Sequence, residues 1–233
     1  EVIIVADPLV SIVADVYPIC DGGNASLSST VTGGTGTSIY QWQLEIGSIW
    51  TNIGGATNPT YLSPVLTEGT YTYRLLVTQG TGCYTVSNVV NIDVVPDPEV
   101  TLTALLNDFC AGGSAEIHAE VTGGAGLVQY QWEQFISGTW TIIPGATSAD
   151  YTSVPLSAGI HFFRVIVVQN SGCQTVSEQY SITVLPDPVI TIQPDVNIIC
   201  SGGTVQFTSV VTGGLGAPVY QWELYNTTNS QWE

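Results

Sequence analysis

Val31-Thr32-Gly33-Gly34, followed after five intervening residues by Tyr40-Gln41-Trp42, returns at 121–124 with 130–132 and again at 211–214 with 220–222. The offset is 90 residues each time. It also carries Cys20 onto Cys110 and Cys200, Cys83 onto Cys173, and Arg74 onto Arg164. Self-similarity at a fixed period is the mark of a repeat array, in which each period is one structural module. The register divides the chain of 233 residues into 1–6, read as the last strand of a preceding repeat, a first repeat at 7–96, a second at 97–186, and the N-terminal half of a truncated third at 187–233.

Outward from the Trp motif, alternating apolar segments bounded by Gly, Pro and Asn clusters read as strands. In the first repeat these fall at about 9–16 (A), 25–32 (B), 39–45 (C), 49–53 (C′), 60–65 (E), 70–78 (F) and 84–95 (G). No segment reads as a long helix. About seven short strands in 90 residues is the pattern of an immunoglobulin-like sandwich, so the expected fold is all-β, with sandwich repeats arranged end to end. Trp42, Trp132 and Trp222 are the expected core anchors, and Gly33-Gly34-Thr35-Gly36 is a B–C turn whose glycines supply positive φ.

Tyr40-Gln41-Trp42 resembles the C-strand tryptophan motif of the immunoglobulin family, and Leu66-Thr67-Glu68-Gly69-Thr70-Tyr71 resembles its turn into strand F, with Tyr71 at the tyrosine corner. The sequence departs from that family at the B-strand cysteine, where Ser29, Ala119 and Ser209 stand. Opposite them, on strand F, are Tyr73 and Phe163, so a small residue facing a large aromatic fills the place of the missing disulfide. His161 replaces the corner tyrosine in the second repeat, which puts that hydrogen bond in doubt. Together with Ile19-Cys20-Asp21-Gly22-Gly23 and Gly82-Cys83, these phrases are similar to the tandem Ig-like repeats of very large Bacteroidota cell-surface proteins, gliding-motility adhesins among them. The resemblance implies export by a type IX system and a stalk or adhesin role.

Five cysteines without a Cys-x-x-Cys pair point to disulfides in an oxidising compartment. Two pairings are open. One joins Cys20 to Cys83 and Cys110 to Cys173 inside single repeats. Strand A, however, runs some 12 residues from the linker to Cys20, about 40 Å at roughly 3.3 Å per residue, whereas Cys83 follows the F–G turn at the opposite pole. Disulfide Cα atoms lie only about 4.4 to 6.8 Å apart. End-to-end repeats would instead appose Cys20 with Cys173, and this bridge between repeats is the favoured pairing. The linkers, Val95-Pro96-Asp97-Pro98-Glu99 and Leu185-Pro186-Asp187-Pro188-Val189, carry two prolines each, which fix φ and leave little hinge.

Charge excludes several functions. The net charge is -17, with Arg74 and Arg164 the two basic residues, which opposes nucleic acid and anionic membrane surfaces. No apolar run approaches the roughly 20 residues of a membrane-spanning helix. With no lysine, a Lys-to-Asn isopeptide cross-link has no donor. The two histidines, His118 and His161, lie in no acid–base or nucleophile pattern, so no catalytic residue and no cofactor is expected. Asp7, Asp97 and Asp187 recur in the linkers as weak calcium candidates, but Asp21 and Glu68 on nearby loops do not recur, and no full set of six to eight oxygens repeats. Trp50 and Trp140 on C′ offer a glycan platform, weighed against inter-strand packing.

The function expected is a non-enzymatic, rigid stalk or filament segment of a secreted surface adhesin, extracellular and at the cell surface. Its partners would be the neighbouring repeats of the same chain and laterally associated copies. The alternatives are a carbohydrate-binding array that takes a surface glycan, and spacer domains of a secreted hydrolase.

Overall fold

The computed structural model describes residues 3–80, 82–170 and 172–233. Its contacts divide the chain into two compact units, Glu1–Thr103 with His118–Tyr151 and Phe163–Tyr180, and Ala104–Ile117 with Thr152–Phe162 and Ser181–Glu233. Among the described residues no helix is long and apolar enough to cross a membrane. Residues 3–8 carry no strand, and Glu1 and Val2 of the expected leading strand lie outside the described residues.

In the first unit, the described residues of the first repeat form nine strands: β1 (Leu9–Ala14), β2 (Ile19–Cys20), β3 (Ser26–Thr32), β4 (Ser38–Ile46), β5 (Ile49–Asn52), β6 (Thr60–Leu62), β7 (Gly69–Gln79), β8 (Cys83–Val86) and β9 (Val90–Val95). One sheet has the order β1-β3-β6, the other β2-β9-β7-β4-β5 with β8 on β7. The tandem repeats are therefore immunoglobulin-like sandwiches. Alternation decides the packing: along β7, Tyr73, Leu75 and Val77 point inward and are buried, while their neighbours are partly exposed. With Ile12, Leu27, Trp42, Ile92 and Val94 they fill the space between the sheets.

Three strands differ most from the sequence expectation, and the first of them, strand E, stops at Leu62 and does not reach residue 65. Strand A does not continue to Val16 but ends at Ala14, and the chain changes sheets to run parallel to β9, pairing Ile19 with Val94 and Cys20 with Val95. Strand G is broken into β8 and β9 because side chains replace the ladder between them. Ser87 Oγ accepts from Leu75 N at 2.9 Å, while the Asn88 amide accepts from Ile12 N (2.8 Å) and donates to Ile12 O (3.0 Å).

The second repeat supplies β10 (Glu99–Ala104), β11 (Asp108–Cys110), β12 (Glu116–Thr122), β13 (Gln129–Ile136), β14 (Thr139–Ile142), β15 (Asp150–Thr152), β16 (Gly159–Val168), β17 (Gln174–Val176) and β18 (Tyr180–Leu185). Within the first unit, Trp132 pairs across to Val165 as Trp42 does to Leu75, so the registers agree at the 90-residue offset.

In the second unit, β11 runs parallel to β18, with Phe109 opposite Val184 and Cys110 opposite Leu185, the counterpart of β2 on β9. The remainder forms β19 (Val189–Pro194) paired with β20 (Phe207–Thr212), and β21 (Tyr225–Asn226) paired with β22 (Gln231–Trp232). Here the expectation for Trp222 is corrected. Among residues 187–233 it is 49 % exposed, beside Phe207. In the first repeat the indole is covered by β7, Tyr61 and Tyr73, and residues 187–233 hold no counterparts of these.

Candidate functional site

The two fully buried indoles come first, because they fix the frame. Trp42 Nε1 donates to Asn58 O at 2.9 Å and Trp132 Nε1 to Ser148 O at 2.8 Å, so neither ring leaves an unpaired N–H in the core. Sequence reasoning assigned the space of the absent disulfide to a small residue facing Tyr73 or Phe163. The structure adds a residue it missed: Tyr61 stacks on Trp42 at 6.0 Å and tilts against Tyr73 at 6.0 Å, and Tyr151 does the same between Trp132 (5.5 Å) and Phe163 (5.8 Å). Burial raises the phenol pKa of Tyr61 and Tyr151. The pKa of Tyr73 is raised by burial first, then by its neighbours Tyr61 and Tyr71.

At the F-strand corner, Tyr71 Oη lies 3.2 Å from Thr67 Oγ1, and His161 Nε2 lies 2.9 Å from Ser157 O. Both reach the residue four positions back, so the imidazole keeps a corner bond that the sequence had put in doubt. His118 Nδ1 meets Asp150 Oδ1 at 2.6 Å on an exposed strand face.

Trp50 and Trp140 do not present two free faces. Arg74 Cζ sits 4.1 Å from the centre of the Trp50 ring and Arg164 Cζ 4.4 Å from that of Trp140, while Phe135 tilts against Trp140 at 5.3 Å. Each guanidinium is held from the neighbouring strand, by Gln43 Oε1 in the first repeat and Glu133 Oε2 in the second, both at 2.6 Å. The signal was in the sequence: the two cations of the whole chain stand one repeat apart. The linker aspartates Asp7, Asp97 and Asp187 are exposed, and among the described residues no three His, Cys, Asp or Glu side chains cluster to hold a metal.

The contact with mechanical consequence joins the repeats. Cys20 and Cys173 form a disulfide with Cα atoms 4.8 Å apart, and both are buried. Cys20 is carried by β2, and Cys173 lies in the hairpin between β16 and β17. Ala125 and Val95 pack around the bridge, and Asn170 Nδ2 approaches Pro18 O at 3.5 Å. Gly172 sits at φ +81° where a Cβ would fall 2.7 Å from the Gly23 backbone and 2.9 Å from Cys20 O, so a side chain there would force the two repeats apart. The pairings Cys20 with Cys83 and Cys110 with Cys173 are not formed; Cys83, Cys110 and Cys200 are free thiols.

Around the linker, Pro98 is buried and packs against Gly124 of the second Val-Thr-Gly-Gly turn, where a Cβ would come within 3.0 Å of Pro98 Cβ. Pro8 meets Gly34 in the same way, at 3.1 Å. The second glycine of each turn is thus a seat for the second linker proline.

The first unit is thus a tandem of immunoglobulin-like sandwiches joined through buried contacts. Residues 11–96 and 102–186 each match a domain of unknown function (DUF8696), and the chain belongs to that family. No curated protein matches it in sequence. Among solved structures, it is similar to fibronectin(III)-like modules of Clostridium thermocellum CbhA (18 % identity, TM-score 0.41, 74 % of this chain and 93 % of that one). Murine CEACAM1b is similar at 14 % identity and TM-score 0.34, over 75 % of this chain and 98 % of that one. The N-terminal four Ig domains of Dscam1 isoform 6.9 follow at 12 % and 0.31, with 79 % of this chain and 47 % of that one covered.

Proposed function

We propose that the chain is a non-catalytic structural segment of a secreted bacterial surface adhesin, a stalk in which successive Ig-like repeats are locked to one another. The buried bridge between Cys20 and Cys173 carries this reading, since it ties one repeat to the next and is maintained in an oxidising compartment outside the cytosol. The seating of Pro98 on Gly124 works in the same direction, because it removes freedom from the linker where a hinge would otherwise lie. The charge of -17 suits a polymer exposed to water, since like charge opposes non-specific association. Bacteroidota origin and type IX export belong to the same proposal and rest on the sequence resemblance.

Small-angle X-ray scattering on the oxidised chain and on Cys20→Ser tests the lock. The oxidised chain is expected to give one narrow distribution of inter-repeat distances and the variant a broader one. Identical profiles would remove the mechanical role. Immunogold labelling of intact source cells with antibody against the chain tests the location, and label confined to lysed cells would remove the surface assignment.

A further inference from the structure

The two Arg-capped indoles stand one repeat apart, yet the rows of side chains that hold them differ. In the first repeat Arg74 on β7, Gln43 on β4 and Asn52 on β5 lie opposite one another across three strands, and alternation puts them on the outer face, since Trp42 and Tyr73 point inward. Arg74 Nε donates to Gln43 Oε1 at 2.6 Å, and Gln43 Nε2 donates to Asn52 Oδ1 at 2.7 Å. A guanidinium has donors and no acceptor, so it fixes the direction of the whole row: Gln43 must turn its oxygen to Arg74, and Asn52 must turn its oxygen to Gln43. What faces solvent at the two ends is a set of donors, Nη1 and Nη2 of Arg74 and Nδ2 of Asn52. None of them has a partner among the described residues.

The second repeat closes its row. Arg164 Nε donates to Glu133 Oε2 at 2.6 Å, a carboxylate that cancels the charge and has no hydrogen to pass on, and exposed Ile142 stands where Asn52 would be. Arg74, in a chain of net charge -17, has no ion-pair partner among the described residues. Phe135 leans on Trp140 at 5.3 Å, whereas the residue opposite Trp50 is the exposed Glu45.

With Nε already used, Arg74 still offers its outer edge, the paired N–H groups of Nη1 and Nη2 that a carboxylate accepts through both oxygens. The Trp50 ring, 4.1 Å from Cζ, supports that fork. Two strand spacings, roughly 9.5 Å, separate the backbones of Arg74 and Asn52. A ligand that reaches both therefore carries its carboxylate on one unit and an acceptor oxygen on the next.

We propose that this row is a binding site for a carboxylate-bearing sugar within an otherwise neutral saccharide, the carboxylate on Arg74 and a hydroxyl oxygen of the adjoining unit on Asn52. A hydroxyl turns to accept where donors face it; a peptide N–H cannot, so the row disfavours an acidic peptide. One charge per ligand matches the one unpaired cation, whereas a polyanion meets the repulsion of the whole chain. Exposed carboxylates more than about 8 Å away are screened at physiological salt. Glu45, beside Trp50 on the same face, opposes the ligand's charge. Trp50 is in this role a prop for the arginine and not a platform for the sugar ring.

The whole oxidised chain, isotope-labelled for NMR, is titrated with glucuronosyl-, galacturonosyl- and sialyl-disaccharides, each against its own methyl ester. Acetate and the blocked dipeptide acetyl-aspartyl-alanine amide are the further probes. At least one acidic disaccharide is expected to shift the Arg74 Nε–H and Asn52 side-chain signals, half-saturating at about 1 mM, with the Arg164 signal unmoved. Its ester is expected to bind about tenfold more weakly. Gln43→Glu copies Glu133 and is expected to weaken binding about tenfold with an unchanged melting temperature; Glu45→Gln is expected to strengthen it about twofold. No response to any acidic disaccharide, equal shifts at Arg164, equal affinity for acetate or for the dipeptide, or undiminished binding by Gln43→Glu would overturn the proposal. The row lies within one repeat, so Cys20→Ser is expected to bind as the parent chain does, and the outcome is read apart from that of the lock between repeats.

Discussion

Tyr61 lies stacked on Trp42, ring centroids 6.0 Å apart and planes inclined by 30°, with Tyr73 on its other side. In this fold the middle of the sandwich is bridged by three aromatic rings where a disulfide is absent. Stacking of this kind adds about 0.5 to 1.5 kcal/mol beyond the area buried. Tyr61→Ala and Tyr151→Ala are each expected to destabilise the chain by roughly 2 to 4 kcal/mol, less than Trp42→Ala at about 3 to 5. Urea melts followed by Trp fluorescence measure both. Equal melts for Tyr61→Ala and the parent chain would mean that the ring fills no essential space.

Closing a loop with a sequence separation of 153 removes chain entropy worth about 5 kcal/mol in the simplest account, so Cys20→Ser and Cys173→Ser should lower stability alike, by up to that amount. Because both residues are buried, native protein should resist mild reductant and lose the bridge only on unfolding. Thiol trapping over time in dithiothreitol, with and without urea, checks this. Gly172→Ala is expected to show rapid native reduction, since its methyl group would push against Gly23 and Cys20.

The two Arg-capped indoles provide an internal control. Arg74 rests on neutral Gln43, but Arg164 rests on Glu133, which is 7 % exposed. Arg74→Ala is expected to cost about 0.5 to 1 kcal/mol, the worth of a cation over an indole near the surface. Arg164→Ala strands a buried carboxylate and should cost about 3 kcal/mol or more. Adding Glu133→Gln to Arg164→Ala should bring the cost back to that of Arg74→Ala, a difference read from denaturation midpoints.

Alkaline pH should act on the first repeat through Tyr73. Its phenol ionises at higher pH in the folded chain than in the unfolded one, chiefly because it is buried, and next because Tyr61 and Tyr71 are near. Below about pH 10 it is protonated in both states and its contribution is intact. As pH rises past that value the unfolded chain gives up its proton first, so stability falls by about 1 kcal/mol per pH unit. Tyr73→Phe, which copies Phe163 of the second repeat, should flatten this decline between pH 10 and 11. An unchanged decline in the variant would exclude Tyr73 as its source.

Much of this was legible before any coordinates, because the 90-residue register carries Trp, Cys, Pro and Gly together and those residues have narrow structural uses. The opposite poles of Cys20 and Cys83 followed from strand length alone, and the cysteines joined are Cys20 and Cys173. Less legible were features made by side chains acting as backbone. The break in strand G comes from Ser87 and Asn88 bonding to Leu75 and Ile12, residues 12 and 76 positions away, and alternation has no means to register it. Tyr61 looked like an ordinary strand residue, since its partners become neighbours only after the sheets face each other. Trp222 carried the same motif as Trp42, yet a motif states a preference for burial and cannot supply the strands that cover it.

The bridge also changes what a pull can do. Tension entering at Pro8 and leaving at Pro186 has a covalent short cut through Cys20 and Cys173, which takes the intervening separation of 153 residues out of the load path. At about 3.5 Å per extended residue, roughly 500 Å of chain is thereby withheld from stretching, even when both sandwiches come apart. A tether built this way stays nearly inextensible under load and, once the load is gone, finds its parts still within reach of refolding.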